Sequence, residues 1–468
     1  MKMKEITIGL LPLYAGLYDR DNPQAKHGYK GYIEEIISLF GEYGVKARTS
    51  SVGIYEDDIK KAVNSFEDTG VSLIVVLFLA YHPSLESSPA LSSTKLPVAF
   101  LDTTPVFAFG PDTDPAHIVD CHGIHGVQDL CCVLQREGKP YRVFAGHYRE
   151  SDVIKRCAGY AKAAVITAAF RDSRVGIIGE PFEKMGDFAI GFEQMEESSG
   201  IKTIALDKRK ARKIMDSLTP AEIAESDKEN RSAFTIEEGL EDHLLDLAAK
   251  TGAIIKKWVE SESLDAFTFN FLSFKNDTGI PAIPFVAASL LMGRGVGYAG
   301  EGDVLTAALT AALMRVYPES TFTEMFCPDW QGNTVFMSHM GEVNYKITAW
   351  AKLIKKPVTF VPELNNGEMP GIAGLYKEGN AVLVNLVPLA DQKFSLILAP
   401  CEIRGIDSAN RFIGSVHGWL KPPMELGRFL EEYSSFGGTH HSCLCYDADL
   451  ETLSDFSGIM GWKVRILR

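Results

Sequence analysis

The stretch Val71–Ala80, VSLIVVLFLA, carries one hydroxyl and otherwise only apolar side chains. A strand so uniformly apolar has no face to offer water. It belongs in a sheet covered on both sides, which is the situation of a parallel sheet with helical crossovers. The run is too short to span a bilayer, and no run in the chain approaches the roughly 18 uninterrupted apolar residues a membrane helix needs. Three further segments read as strands of the same sheet: ITIGLLPLY (6–14), LPVAFLD (96–102) and YRVFAGHY (141–148). Between them, GYIEEIISLFGEYG (31–44) and VQDLCCVLQRE (127–137) repeat apolar residues every three or four positions, the period of a helix with one buried face.

A helix over 151–172 leads into a second unit of the same kind, opened by RVGIIGEPF (174–182). It continues through a helical stretch near 236–262, the strand DAFTFNF (265–271) and the helix DVLTAALTAALMRVY (303–317). After residue 318 the texture changes. TFTEMF (321–326), TVFMSHM (334–340), PVTFVPEL (357–364), AVLVNLV (381–387) and FSLILAP (394–400) are strand-like, with NNGE and KEGN as turn signals between them. Closely spaced strands of this sort predict an antiparallel sandwich or barrel. The expected fold is two α/β domains with parallel sheets, 1–172 and 173–318, followed by a mostly antiparallel β domain, 319–468.

Composition narrows the function classes. The 61 acidic against 47 basic side chains leave a net charge of -14, the wrong sign for a chain that wraps a phosphate backbone, so no nucleic-acid partner is expected. The first residues, MKMKEITIGLLPLY, enter a strand at once and offer no small-residue cleavage site, so no secretory signal is read. The cysteines at 121, 131, 132, 157, 327, 401, 443 and 445 form no C-x-x-C pair. A reduced, cytoplasmic protein fits that pattern.

Residues 295–300 spell G-x-G-x-x-G, the formal signature of a dinucleotide loop. Glu301 and Asp303 follow directly. They would put two carboxylates where a pyrophosphate should meet a helix N-terminus, which is electrostatically wrong. The glycines read better as a connection that positions an acidic helix start, and acids there can simply compensate the helix dipole. Two apolar strands also carry chemistry: Phe322-Thr-Glu324 places an acid, and Ser338-His339-Met340 an imidazole. Gly437-Gly438-Thr439-His440-His441 adds a tandem pair of histidines. Each alone reads equally well as a surface group. Together they form a Glu/His set without thiolate, which suits Mn²⁺ or a similar divalent ion better than a structural zinc.

GYAGEGD (297–303), FTE (322–324), SHMGEV (338–343) and GGTHH (437–441) resemble the four signature segments of L-arabinose isomerase, in order and at similar separations. The likeness extends to HGIHG (122–126), FAGHY (144–148) and IIGEPFEKMGDF (177–188), and ASLLMGRGVGYAGEGDV (288–304) is also similar to the L-fucose isomerase relatives. The family's fold is two Rossmann-like α/β domains and a C-terminal β domain. The resemblance implies a divalent metal, Mn²⁺ or another such as Co²⁺ or Mg²⁺, held by Glu301, Glu324, His339 and His441. It gives Glu301 and Glu324 the further role of acid and base in moving a proton between C1 and C2 of an open-chain aldose through an enediol. His440 is left to support a neighbour or the loop, and Glu342, three residues past His339, to orient a ligand by hydrogen bonding.

The resemblance also implies a sugar pocket that includes Tyr81, His122, His125, Phe182 and Phe271, and a homo-oligomer, a hexamer built as a dimer of trimers. In that arrangement first-domain residues reach a neighbour's metal site. The bland alternative for His122 and His125 is a local helix cap. Two departures stand out. The family holds the sugar's remote hydroxyls with two glutamines, and alignment places Leu11 and His122 there. Losing an amide that pairs a hydroxyl changes substrate choice by orders of magnitude. The expectation is therefore an aldose–ketose isomerase for which L-arabinose is a poor substrate. L-Fucose, D-galactose or an unusual sugar are in-class alternatives, and a non-catalytic sugar-binding paralogue is the alternative from another class.

Overall fold

The computed structural model describes residues 5–406 and 410–468. It divides into two compact units, one ending at Val165 and the other running from Ile166 to Arg468. The first unit is built on five parallel strands, β1 (Ile6–Leu13), β2 (Val45–Thr49), β3 (Leu73–Phe78), β4 (Val98–Asp102) and β5 (Tyr141–Ala145), in the order β2-β1-β3-β4-β5. All six residues of β3 are buried, as the apolar run required. The helix Lys30–Glu42 buries Tyr32, Ile33, Ile36 and Phe40, one stripe at three- and four-residue spacing.

The second unit begins with a four-stranded parallel sheet. Its strands are β6 (Arg174–Ile178), β7 (Lys202–Ala205), β9 (Ala266–Phe269) and β10 (Gly297–Gly300), in the order β10-β9-β6-β7. The short β8 (Thr235–Ile236) leaves this sheet for the next. The last four residues of the G-x-G-x-x-G motif are strand β10, not a phosphate loop. Its glycines serve close packing: a Cβ on Gly297 would come within 2.4 Å of the Ala311 nitrogen. That contact belongs to the helix Val304–Met314, whose residues are all buried. A helix apolar on every side can only be a central one, and this one packs on both β10 and the strands that follow.

Those strands are β11 (Ser320–Asp329), β12 (Thr334–His339), β13 (Thr348–Pro357), β14 (Glu368–Tyr376), β15 (Gly379–Pro388), β16 (Phe394–Arg404), β17 (Val416–Lys421), β18 (His441–Tyr446) and β19 (Lys463–Ile466). The antiparallel ladder β16-β15-β18-β11-β12-β17 closes on itself through a β16–β17 pairing, so six of them form a barrel. Closure leaves none of the six ring strands as a free edge. Outside the ring, β19 lies parallel on β16, and β14, β13 and β8 extend the sheet from β17. The chain is thus two α/β parallel sheets followed by a mostly antiparallel β region. One local expectation fails. PVTFVPEL is not a strand: β13 is the preceding TAWAKLIKKP, and the chain after Pro357 turns back, with the Val358 N–H bonded to the Gly367 carbonyl. No helix among the described residues is long and apolar enough to cross a membrane.

Candidate metal centre and active site

Sheet register brings three of the sequence-selected residues together. Glu324 on β11 is directly opposite His441 on β18 and opposite Ser338 on β12, one residue before His339. Glu301 arrives from the other sheet, at the end of β10. The approach is close, because a Cβ on Gly300 would sit 2.5 Å from His339 Cε1. Only glycine lets the parallel sheet come this near the imidazole. Glu301 itself has φ 64, a left-handed conformation that costs a non-glycine residue about 1 kcal/mol and recurs at functional sites. Its carbonyl accepts the Phe182 N–H at 2.9 Å, which anchors the strained turn.

Each histidine is tied to a carboxylate through Nδ1. His339 bonds Glu342 Oε1 at 2.6 Å, and the same oxygen accepts the Tyr298 hydroxyl at 2.9 Å. His441 bonds Asp303 Oδ2 at 3.0 Å. His440 bonds Asp187 Oδ2 at 2.6 Å. In every case Nε2 is left to face the site, which is how protein carboxylates fix the tautomer of metal-binding imidazoles. The Nε2 atoms of His440 and His441 are buried without a hydrogen-bond partner and lie 3.6 and 3.5 Å from Glu301 Oε2. One ligand atom each of Glu324, His339 and His441 falls within 4.8 Å of the others, and the same holds for Glu301, His440 and His441. His441 belongs to both groups but has a single free nitrogen, so it can serve one ion. A cluster of two carboxylates and orphaned imidazole nitrogens, without thiolate, fits a hard-to-borderline divalent cation.

The two glutamates sit in opposed environments. Burial pushes the Glu301 carboxyl up, but the imidazoles of His440, His441 and His339 outweigh it and hold the group well below the usual carboxylate range. Burial also raises Glu324, and there the imidazoles offset it only in part, so it stays raised. Burial lowers His440, yet Asp187 and then Glu301 carry it up to about 10.

Asp303 does more than compensate a dipole. Its Oδ1 caps the helix Val304–Met314 by accepting the Thr306 N–H at 2.9 Å, while Oδ2 holds His441. The sequence signalled the cap but not the second bond. Asp187 and Tyr298 were not singled out at all, since neither spacing nor composition links them to residues so distant in the chain.

Phe182 and Phe271 lie ring to ring at 5.7 Å, and Phe360 joins them at 4.8 Å from Phe271. Phe182 stands on the turn after β6 and Phe271 on the turn after β9, and Phe360 follows β13; the three form an aromatic wall. The other selected residues belong to the first unit. Leu11 is fully buried in that unit's core with Ile59, Val63 and Phe66, and presents no surface to a ligand. His122 spends both nitrogens locally, Nδ1 on the Val119 carbonyl at 2.9 Å and Nε2 on the Tyr18 hydroxyl at 2.9 Å. His125 is exposed beside it, ring centroids 5.6 Å apart, and Tyr81 is half-buried.

Residues 195–318 match the L-arabinose isomerase central domain, and residues 319–463 match the L-arabinose isomerase C-terminal domain. Together these cover more than half of the chain. The chain belongs to the L-arabinose isomerase family. It is a divergent member, and by that membership an enzyme of the aldose–ketose isomerase class. It is 25% identical over 350 residues to L-arabinose isomerase of Shouchella clausii, covering 72% of this chain and 69% of that one. It is 32% identical over 214 residues to the Leuconostoc mesenteroides enzyme of the same name, covering 44% and 43%. With L-arabinose isomerase of Geobacillus stearothermophilus it shares 25% identity over 358 residues, covering 72% and 68%.

Proposed function

We propose that this protein is a divalent-metal-dependent isomerase that interconverts an aldose, pentose or hexose, with its ketose through an enediol. The observation that carries the reading is the grouping of Glu324, His339 and His441, one ligand atom each within 4.8 Å of the others, beside Glu301 from the second sheet, with both imidazoles backed by carboxylates and the His441 Nε2 buried without a partner. These four would hold the ion, Mn²⁺ or a close substitute. A bound divalent ion would polarise the sugar carbonyl and stabilise the charge that develops on its oxygen. The rest is the work of side chains. Glu301, kept ionised by its imidazole neighbours, takes the proton from C2 of the open-chain aldose. Glu324 moves the proton between the two oxygens, and the carbon-bound proton is returned at C1.

Specificity lies at the far end of the sugar. Phe182 and Phe271 would bound it from this chain, and Tyr81, His122 and His125 would reach it from a neighbour in a homo-oligomer, a hexamer as in the resembling family. The lost amide is the one at His122; Leu11, buried in the core of the first unit, does not face a ligand and takes no part in specificity. L-Arabinose is accordingly a poor substrate, and L-fucose, D-galactose or a rarer sugar the better one. The same reading takes domain boundaries at 172 and 318 and a cytoplasmic location.

The test is an aldose panel with added Mn²⁺ in D₂O, followed by NMR at C1 and C2. Deuterium entering C2 of one aldose together with ketose formation is the expected result. A panel with no exchange at any sugar would refute isomerase activity and leave the sugar-binding paralogue. L-Arabinose as the best substrate would refute the specificity argument alone. Mixing His125→Ala and Glu301→Ala proteins after unfolding should restore part of the activity. Efficient mixing without recovery would refute the shared site.

A further inference from the structure

The first unit's sheet runs β2-β1-β3-β4-β5, all parallel, so the chain leaves β1 for one side and β3 for the other. Connections that part in this way open a crevice beyond the carboxyl ends of the two strands, where ligands of open α/β sheets bind. Two segments meet there. The helix Gly16–Asp21 follows β1 and carries Tyr18. His122 comes from the turn before the helix Ile124–Glu137. That turn lies against the end of β3, because Gly123 has no side chain: a Cβ there would be 3.0 Å from the Phe78 carbonyl oxygen. The Tyr29 hydroxyl, bonded to Asp120 Oδ1 at 2.6 Å, ties the two segments together.

Tyr18 Oη and His122 Nε2 are 2.9 Å apart, and the direction of their bond follows from the other ring nitrogen. His122 Nδ1 is 2.9 Å from the Val119 carbonyl, which can only accept, so the neutral ring carries its proton on Nδ1. Nε2 is then a lone pair, and the Tyr18 hydroxyl is the donor. Its proton is spent, and His122 has no group left for a ligand. What remains for the crevice is the half-buried Tyr18 oxygen, with lone pairs and no proton. An amide could both donate and accept. This pair can only accept, so it selects a ligand with a hydroxyl to donate.

We propose that Tyr18 is a specificity-determining residue: its phenolic oxygen, oriented by His122, accepts a hydrogen bond from a sugar hydroxyl beyond C2. The inference rests on the reading of the first unit as the part that meets the far end of the sugar. Tyr18→Phe should lower kcat/KM for the best aldose by about 10- to 100-fold, since that hydroxyl is left unmatched. Mn²⁺ affinity should not change, because every proposed ligand of the ion is retained. The analogue deoxygenated at the recognised carbon should lose as much with the wild type, and nothing further with Tyr18→Phe. Fluorine at that carbon brings no proton, so the fluoro sugar should fare as badly as the deoxy sugar.

The experiment is a cycle of wild type and Tyr18→Phe, as full-length proteins, against the best aldose and its monodeoxy and monofluoro analogues at each carbon beyond C2. The ratio between the two enzymes cancels any change in the sugar's own ring equilibrium. One carbon at which the Tyr18→Phe penalty vanishes is the expected result. Equal penalties on every sugar would mark a structural role and overturn the proposal, as would an unchanged kcat/KM or a fluoro analogue as good as the parent. ¹⁵N NMR of labelled histidines reads the pair itself: the His122 proton should be on Nδ1, and an Nε2–H in the wild type would overturn the assignment of Tyr18 as an acceptor. If the wild type turns over no aldose, the isomerase reading falls, and the same cycle is read from calorimetric binding of the sugars. A penalty confined to one hydroxyl then still supports the proposal, and a wild type that binds no sugar overturns it.

Discussion

Asp303 joins two tasks in one side chain, and substitutions can separate them. It is 1% exposed, caps the helix Val304–Met314 with Oδ1 and holds His441 Nδ1 with Oδ2. Asp303→Ala removes both bonds. Losing an N-cap costs about 1 kcal/mol, and losing a bond to a charged group, with the buried imidazole N–H left unmatched, costs about 2 kcal/mol more. Asp303→Ser keeps a good cap and loses only the bond to His441, so it should fall about 2 kcal/mol below wild type and about 1 kcal/mol above the alanine variant. Urea unfolding of the metal-free proteins gives those differences. Mn²⁺ titration gives the other half: without its carboxylate partner His441 should bind the ion about 10- to 100-fold more weakly in both variants. Equal stability of the serine and alanine variants would refute the cap. Wild-type Mn²⁺ affinity in Asp303→Ser would refute the assignment of Asp303 as the group that orients His441.

Three further outcomes follow from particular contacts. His82 is fully buried, its Nε2 on the Ile54 carbonyl at 3.3 Å and its Nδ1 without a partner, and burial lowers it to about 4 from the ordinary 6.5. Between those values the unfolded chain takes a proton that the folded chain refuses, so stability is complete above pH 6.5 and falls as pH drops toward 4, by about 3 kcal/mol. Urea midpoints across that range should show the slope in wild type and lose it in His82→Gln, and an equal slope in both would refute the assignment. Gly300→Ala drives a methyl to 2.5 Å from His339 Cε1, and the resulting overpacking should cost about 1–3 kcal/mol and weaken Mn²⁺ binding. Gly28→Ala, with nothing within 4 Å, should do neither. Leu11→Gln should destabilise the first unit by about 2 kcal/mol or more, from an amide buried without partners, with no gain in L-arabinose turnover. A stable variant with restored turnover would show that this position faces the sugar.

The features legible in the sequence were those written in short-range pattern. Apolar runs such as VSLIVVLFLA announced a parallel sheet because a strand with no polar face has one kind of place to go. The ligand candidates were legible as types in motifs, and register then did what spacing could not, setting Glu324 opposite His441 on adjacent strands. The misread elements had misleading patterns. TAWAKLIKKP carries three lysines and is mostly half-buried, so β13 lacks the strict alternation of a strand with one wet face. PVTFVPEL has strand composition, but prolines at 357 and 362 deny it ladder donors. Barrel closure rests on three residue pairs between β16 and β17, which no local pattern encodes. The Asp187–His440 tie and the second bond of Asp303 are long-range contacts of ordinary surface-type residues, visible only once the chain is folded.

The central claim is that Glu301, Glu324, His339 and His441 form one cation site. It is tested most directly by equilibrium Mn²⁺ binding, read from the EPR signal of the free ion. The wild-type protein should bind one ion per chain, His440→Ala should bind as wild type does, and His441→Ala should lose the site. Wild-type binding by His441→Ala, or loss of the ion in His440→Ala instead, would contradict the account.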